Sequence, residues 1–282
     1  MQYVSGFLHL FCTTICLSTI SNESLPVDPF LLDINMLKTL WIILALMMFT
    51  GTNIVHAQEL EQVSFQTDDG LKIAASALIA NPKTDARSPA IVFIHQGGSK
   101  RSEWTTSSLW KKLAADGYTL LAYDVRMHGD SGKDDGSMVD LFNNPKRSPN
   151  DLKAAIQFLK SKPTVNPDRI AVIGASIGGN LACVASADNS FGIKSAVAMS
   201  SKTAAAQNLS GRDELIKPKN VFHVASEDEQ GGMRKKWAEE LFERTTGERK
   251  VVIAKGKQHG SFILPGNPDL EDAIVAWIKK TL

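Results

Sequence analysis

The feature that most constrains this chain is the segment at residues 174–179, Gly-Ala-Ser-Ile-Gly-Gly, which directly follows an apolar run at residues 170–173. A serine hydroxyl can attack a carbonyl only if a sharp turn holds it exposed, and that turn crowds its neighbours. Glycines two residues before and after the serine relieve the crowding, and a helix follows the turn. The segment therefore predicts a strand, a nucleophile elbow that bears Ser176, and a helix.

Glycine-rich turns between a strand and a helix also bind phosphate groups. Residues 174–179 lack the Gly-x-Gly-x-x-Gly spacing of a dinucleotide site and the Gly-Lys-Ser/Thr of a P-loop. Both phosphate sites are therefore excluded at this position. The remaining alternatives are a nucleophilic serine and an ordinary strand-to-helix turn, and the rest of the chain must distinguish them.

The N-terminal region contains the three parts of a secretory signal in their usual order. Lys38 precedes an apolar run at residues 39–49, and Val55-His56-Ala57 supplies small residues at the −3 and −1 positions. The run is shorter than the roughly 20 residues that span a membrane. We expect a signal peptide at residues 36–57, cleaved after Ala57, and a periplasmic or secreted mature form without a membrane span. Because a signal that starts at Met36 leaves residues 1–35 without a role, we expect those residues to be an extension from a start codon assigned too early. An N-terminal anchor that stays uncleaved is the alternative.

Residues 58–282 are enough for one well-cored domain and too few for two. This part has a small net positive charge, so no nucleic-acid footprint is expected. It contains one cysteine, Cys183, and therefore no internal disulfide is possible. The histidines and carboxylates show no metal-ligand spacing, and we expect neither a metal nor another cofactor.

Apolar runs bounded by turn residues alternate with segments of helical period from residue 90 onward, which is typical of βαβ units. Upstream of them, Asp68-Asp69-Gly70 joins two apolar runs as a hairpin would. Strands are expected at residues 63–67, 71–78, 90–95, 119–123, 169–173, 195–199, 221–225 and 250–253. Helices are expected at residues 103–116, 150–161, 178–187, 232–244 and 268–280. The fold class is therefore α/β, with an eight-stranded, mostly parallel sheet and helices on both faces.

Partners for Ser176 follow it along the chain. In a serine hydrolase with this alternation the order is serine, acid, histidine, because each residue lies on the loop after a particular strand. His259 follows the strand at residues 250–253 and would exchange a proton with Ser176. Asp228 follows the strand at residues 221–225 and is the expected acid, with Glu227 and Glu229 as alternatives.

The strand at residues 90–95 leads into Gln96-Gly97-Gly98, where small residues let the backbone approach a substrate. The N–H groups of Gly97 and Ile177 are the expected oxyanion hole. His95 stands outside the order of the three catalytic residues and is expected to be structural. Trp104 and Trp110 are expected on a buried helix face, although they could also wall a pocket.

Three further residues carry reactive groups. Cys183 lies seven residues after Ser176 on the same predicted helix and is expected to pack against the sheet rather than act as a second nucleophile. His223 lies within a predicted strand and is expected in the core. His128 lies on a loop near the site, from which it could touch a substrate.

The elbow at residues 174–179, the segment at residues 95–98, the Asp-Val-Arg-Met-His-Gly-Asp-Ser stretch at residues 124–131 and the acid and histidine near the end together resemble the α/β-hydrolase superfamily. The resemblance covers about residues 60–282 and is greatest to its lidless dienelactone-hydrolase-like and prolyl-oligopeptidase-like branch. It implies an α/β-hydrolase fold and hydrolytic activity. Three residues depart from that group: Gln96 and Met127 replace its usual glycines, and Ser176 replaces the cysteine of dienelactone hydrolases proper.

Only about twenty residues separate the strands at 195–199 and 221–225, where many lipases insert a lid. We therefore expect no large lid, and a serine hydrolase that cleaves small to medium carboxylic esters through an acyl-enzyme. The partner is then a small-molecule ester or amide. The alternatives are a hydrolase of short peptides or amides, and a silent fold of this type used for binding.

Overall fold

The computed structural model describes Trp41 and residues 59–81 and 86–282. The chain divides into two compact units, Met1–His56 and Ala57–Leu282, and the fold below is that of the second unit. Apart from Trp41, the expected N-terminal extension and signal peptide lie outside the described residues. Among the residues described, no helix has both the length and the apolar character needed to cross a membrane.

Eight strands form one sheet within the described ranges, in the spatial order β1-β2-β4-β3-β5-β6-β7-β8. The strands are β1 Glu61–Gln66, β2 Lys72–Leu78, β3 Ser88–Ile94, β4 Thr119–Tyr123, β5 Val165–Ala175, β6 Ser195–Met199, β7 Lys219–Ser226 and β8 Thr246–Ala254. β2 pairs antiparallel with β1 and β4, and all other pairs are parallel. This arrangement confirms the expected α/β class and the mostly parallel sheet.

Helices cover both faces of the sheet. They are α1 Ser102–Thr105, α2 Ser108–Ala115, α3 Asp140–Asn143, α4 Ser148–Lys160, α5 Ile177–Ala187, α6 Thr203–Ser210, α7 Met233–Arg244 and α8 Pro268–Thr281. Helices α4, α5, α6 and α7 pack in the core on one face, and α1, α2 and α8 pack on the other. No large lid interrupts this part of the chain, because residues 200–218 contain only the short helix α6.

The central strand β3 shows why the sequence forms a two-sided sheet. Val92 and Ile94 face one core while Ile91 and Phe93 face the other, and all four side chains are fully buried. A parallel strand covered on both faces is apolar at every position rather than at alternate ones. Burying each such side chain contributes roughly 1.5–3 kcal/mol.

The structure differs from the sequence expectation at several helices. The single helix expected at residues 103–116 is two helices, because the first ends at Thr105 and the hydroxyl of Ser107 accepts the N–H of Trp110 at 3.2 Å as the N-cap of the second. Trp104 and Trp110 are buried as expected, and both rings pack on Phe93. The short helices α3 and α6 were not expected, because four to eight residues carry too little periodicity to detect.

Candidate active site

Ser176 lies on a strained turn between β5 and α5, with φ 53° and ψ −108°. A Cβ atom on Gly174 would lie 2.1 Å from the carbonyl oxygen of Gly178, and one on Gly178 would lie 2.3 Å from the carbonyl oxygen of Ile94. Neither position can therefore hold a side chain. The glycines are needed because the elbow folds tightly on itself and against β3, as the sequence predicted.

The elbow is anchored by backbone hydrogen bonds on both sides of the serine. The N–H of Ser176 donates to the carbonyl of Met199 at 2.8 Å, and its carbonyl accepts the N–H of Asn180 at 2.9 Å. These contacts leave the hydroxyl free, and it lines a cavity of about 410 Å³. The cavity wall is apolar at Met138, Val139 and Phe142.

The two backbone donors expected in the oxyanion hole are unpaired and follow neighbouring strands. β3 and β5 are neighbours, with Ile94 opposite Gly174, so the segment after β3 and the elbow after β5 emerge side by side. The N–H groups of Gly97 and Ile177 donate to no acceptor within the described residues. Unpaired N–H groups beside a candidate nucleophile can stabilise a developing oxyanion.

Two histidines brace residues 95–99, which we call the glycine loop. His95 is fully buried; its Nδ1 donates to the carbonyl of Gln96 at 2.7 Å, and its Nε2 accepts the N–H of Val125 at 3.0 Å. Burial lowers the pKa of His95 to about 4, so the ring is neutral at pH 7. Its structural role confirms the expectation from the sequence.

His128 holds the same loop from the other side. Its Nε2 accepts the N–H of Gly98 at 3.1 Å, and its Nδ1 lies 3.1 Å from the carbonyl oxygen of Arg126, which assigns the proton to Nδ1. The side chain is buried, and its ring centroid is 5.1 Å from that of His95. His128 therefore contacts the loop rather than an open cavity, and sequence reasoning missed this bracing role.

Met127 adopts φ 66°, a conformation that favours glycine. This is one of the positions where the sequence departs from the group that it resembles, which usually has glycine here. The sulfur of Met127 accepts a hydrogen bond from the guanidinium of Arg147 at 3.1 Å. This contact links the strained turn before His128 to the segment that carries α3.

His259 pairs with Glu229. The Nδ1 atom of His259 lies 2.5 Å from Oε1 of Glu229, and the other carboxylate oxygen accepts the hydroxyl of Ser200 at 2.7 Å. Glu229 is buried, whereas His259 is half-buried. A carboxylate in this position fixes the imidazole with the proton on Nδ1 and leaves Nε2 as the free acceptor.

The expectation that Asp228 is the acid is corrected by this geometry. Asp228 is exposed, and its backbone N–H pairs with the carbonyl of Gly256 at 3.0 Å as the chain leaves β7. The side chain of the next residue, Glu229, is buried and contacts Ser200 and His259, and the turn continues through Gln230, Gly231 and Gly232, all with positive φ. Glu229 was one of the two alternatives that the sequence left open, and Glu227, the other, is exposed.

Gly260 brings His259 against the elbow. A Cβ atom on Gly260 would lie 3.2 Å from the Cβ of Ala175, and its N–H donates to the hydroxyl of Ser200 at 2.9 Å. Ser176 and His259 make no direct hydrogen bond to each other in the described structure. Catalytic hydrogen bonds of this kind often form only when substrate is bound.

Ser200 and Arg234 complete the surroundings of Glu229. Nε of Arg234 lies 3.2 Å from Oε1 of Glu229, and its guanidinium also donates to the carbonyl of Ser200 at 2.5 Å. Burial lowers the pKa of Arg234, while the charge of Glu229 acts in the opposite direction. Sequence reasoning did not identify either residue, because Ser200 follows β6 outside any recognisable motif and Arg234 lies within α7.

His223 and Cys183 lie away from the site, as expected. His223 is fully buried in β7, its Nε2 lies 2.8 Å from the hydroxyl oxygen of Thr245, and burial lowers its pKa to about 3. Cys183 is fully buried, and burial raises the pKa of its thiol to about 12, which keeps it protonated and unreactive. No group of described residues has the composition of a metal site.

Sequence comparison gives a family match that covers most of the chain. The pattern of the dienelactone hydrolase family matches residues 75–277. The quorum-quenching protein AidA of Acinetobacter baumannii is 32% identical over 118 residues, which are 42% of this chain and 36% of that protein. Thiohydrolase apmlB of Arthrinium phaeospermum is 36% identical over 129 residues, which are 44% of this chain and 38% of that protein. The matches thus span little more than a third of the length of these relatives.

Solved structures show the same fold. Dienelactone hydrolase from Anabaena variabilis superposes with a TM-score of 0.63 at 19% identity, over 80% of this chain and 100% of that one. The Pyrococcus furiosus esterase Pf2001 superposes with a TM-score of 0.61 at 19% identity, over 80% and 91%. The family match includes the elbow, the glycine loop and the Glu229–His259 pair, and it follows that this chain belongs to the dienelactone hydrolase family.

Proposed function

We propose that this protein is a serine hydrolase that cleaves small to medium carboxylic esters through an acyl-enzyme. The observation that carries the proposal is the Glu229–His259 pair, whose Nδ1 to Oε1 distance is 2.5 Å, on a loop packed against the elbow of Ser176. The unpaired N–H groups of Gly97 and Ile177 support the same function. A fold used only for binding would not require these features together.

In this mechanism His259 acts first as a base. Its Nε2 removes the proton of Ser176 while Oγ attacks the ester carbonyl, and Glu229 stabilises the imidazolium that forms. The N–H groups of Gly97 and Ile177 donate to the oxyanion of the tetrahedral intermediate. His259 then returns the proton to the leaving alcohol. Water next attacks the acyl-enzyme while His259 removes its proton, and His259 finally returns that proton to Oγ of Ser176, which releases the acid.

The cavity at Ser176 supports acyl groups of limited size. Its volume of about 410 Å³ lies near the lower end of the range for small-molecule sites. Met138, Val139 and Phe142 offer apolar contacts to an acyl chain. Esters of short and medium acids are therefore the proposed substrates, and an amide hydrolase with the same three residues is the alternative.

A fluorophosphonate probe tests the nucleophile directly. Wild-type protein should be labelled on Ser176 and should hydrolyse p-nitrophenyl acetate, while Ser176→Ala should do neither and keep its far-UV circular dichroism. A parallel panel of acyl esters and aminoacyl amides distinguishes an esterase, whose leaving group is an alcohol, from an amidase, whose leaving group is an amine. Ester turnover that survives in Ser176→Ala would contradict the mechanism, and a wild-type protein that neither labels nor turns over would favour a binding fold.

We also propose that the protein is exported and begins at Gln58 after cleavage at Ala57. The order of charge, apolar run and small residues at positions 36–57 supports this proposal. Intact mass spectrometry of the protein from a periplasmic extract tests it. A mass that includes residues 36–57 would indicate an anchored form instead.

A further inference from the structure

A second cavity, of about 830 Å³, lies beside the candidate site. Gly98 and Ser99 of the glycine loop form part of its wall, and so do Ser261 and Phe262, which follow His259 closely in the chain. Glu103 of α1 lines the same cavity, and its carboxylate contacts the side chains of Ser99 and Ser261. This cavity, which we call the Glu103 cavity, therefore borders the glycine loop and the His259 loop but does not include Ser176.

The proposed mechanism distinguishes the two cavities. After attack, the acyl group is bonded to Ser176 and occupies the cavity that this serine lines. The leaving alcohol receives its proton from Nε2 of His259 and must therefore lie on the His259 side. The Glu103 cavity is on that side, since Ser261 and Phe262 of its wall follow His259 closely in the chain.

Glu103 has free capacity to accept hydrogen bonds. Its carboxylate is half-buried, and its one backbone donor, the N–H of Gln96, is 3.4 Å from both oxygens. Burial raises the pKa of Glu103, and the neighbouring Ser99, Ser261 and His259 oppose that rise. Ser99 and Ser261 also form hydrogen bonds with this carboxylate, but two carboxylate oxygens offer about four acceptor positions, so a ligand that donates to the remaining ones stabilises it further.

The charges of the lining do not favour an ionic ligand. Glu271 already pairs with Nζ of Lys112 at 3.2 Å, and the exposed Lys100 adds a positive charge to the wall that carries Glu103. Most other polar groups of the wall are hydroxyls, on Ser99, Ser102, Thr106, Ser107, Ser108 and Ser261. This wall can both donate and accept hydrogen bonds and has little net charge. It therefore fits an uncharged ligand whose groups also both donate and accept hydrogen bonds, as hydroxyl groups do.

We propose that the Glu103 cavity binds the alcohol part of the substrate, that this alcohol carries several hydroxyl groups, and that Glu103 accepts hydrogen bonds from them. The inference rests on the proposed serine hydrolase function. Phe262, whose side chain is 61% exposed, offers an apolar surface to the carbon skeleton of such an alcohol. Glycerol and simple sugars are alcohols of this kind.

The same cavity should accept an added alcohol after the first product has left. His259 would remove the proton of the acceptor hydroxyl, whose oxygen attacks the acyl carbonyl. The bond between the carbonyl and Oγ of Ser176 breaks, and His259 returns the proton to Oγ. The products are the new ester and free enzyme, so transfer competes with hydrolysis of the same acyl-enzyme.

The acyl-enzyme can transfer its acyl group to an added alcohol or to water. The ratio of these two products therefore tests whether the Glu103 cavity binds polyols. p-Nitrophenyl acetate serves as acyl donor, with glycerol, methyl glucoside, choline or 1-propanol as acceptor at equal concentration of hydroxyl groups. Mass spectrometry gives the ratio of acetylated acceptor to acetate. We expect glycerol and methyl glucoside to exceed 1-propanol by at least about tenfold, the factor for a hydrogen bond to a charged acceptor.

Glu103→Leu should reduce that ratio to the level of 1-propanol, and Glu239→Gln, a change at an exposed glutamate of α7, should leave it unchanged. An equal ratio for all acceptors, a preference for choline, or a Glu103→Leu ratio that matches wild type would each overturn the inference. Wild-type protein that releases p-nitrophenol without preferring polyols would leave the proposed function intact. Absence of p-nitrophenol release would instead refute the proposed function and the inference with it.

Discussion

Oε1 of Glu229 lies 2.5 Å from Nδ1 of His259, and Oε2 of the same carboxylate accepts the hydroxyl of Ser200 at 2.7 Å. Both oxygens of this buried group are therefore committed, one to the imidazole and one to the loop after β6. The hydroxyl of Ser200 also accepts the N–H of Gly260 at 2.9 Å. The carboxylate is therefore connected to the segment of His259 and Gly260 in two ways, directly through His259 and indirectly through Ser200. This double connection makes the orientation of His259 depend on Glu229.

Glu229→Gln should lower kcat by about 10³- to 10⁴-fold, by analogy with the aspartate of serine proteases. The amide of the glutamine would donate to Nδ1 of His259 and move the imidazole proton to Nε2, which then cannot accept the proton of Ser176. Steady-state hydrolysis of p-nitrophenyl acetate measures the effect. Asp228→Asn, which removes the adjacent exposed charge, is the matched control and should stay within about twofold of wild type. A larger loss in Asp228→Asn than in Glu229→Gln would reverse the assignment.

His128→Phe should lower kcat by about 10- to 100-fold and change KM little. His128 accepts the N–H of Gly98, and without this bond the adjacent N–H of Gly97 loses its position, a displacement of a kind that costs up to 10²-fold. Kinetics on p-nitrophenyl acetate and the melting temperature are measured together. Lys133→Ala, at an exposed position in the same connection, is the control. An unchanged kcat in a folded His128→Phe protein would show that the glycine loop does not need this support.

The free energy of unfolding should fall as pH is lowered from 6.5 towards 3, partly because of His223. The pKa of His223 is about 3 in the folded protein and 6.5 in its unperturbed state, so only the unfolded chain binds this proton in that window. The contribution approaches about 1.4 kcal/mol per pH unit at most. Urea titrations of wild type and His223→Gln between pH 7 and 5 measure it. The variant should show a shallower dependence on pH, and identical slopes would contradict the assignment.

Arg126→Met should lower the free energy of unfolding by about 3–5 kcal/mol, the range found when one partner of a buried ion pair is removed. Arg126 and Asp151 are both fully buried, and Nε of the guanidinium donates to Oδ1 of Asp151 at 2.8 Å. Burial raises the pKa of Asp151 to about 6 even with Arg126 present. Adding Asp151→Asn to Arg126→Met should therefore restore part of the loss in urea unfolding. If the double variant is less stable than Arg126→Met, the isolated charge is not the cause.

The sequence alone predicted the features that depend on residues close together in the chain. The glycines at 174 and 178 are needed by a turn only a few residues long, and the apolar runs mark the strands because buried parallel strands are apolar throughout. The order of Ser176 before His259 follows from the order of those strands. Short elements such as α3 escaped detection, because a single helical turn has no periodicity of its own.

Only the tertiary structure decided which acid faces His259 and what surrounds the elbow. Three consecutive residues with carboxylates, 227–229, are equivalent in the sequence, and only the folded loop shows that Glu229 is buried against His259 while the other two are exposed. The bracing of the glycine loop by His128 joins residues 30 positions apart. Such contacts depend on where two loops from different strands meet in space, and the local propensities of either loop contain no information about the other.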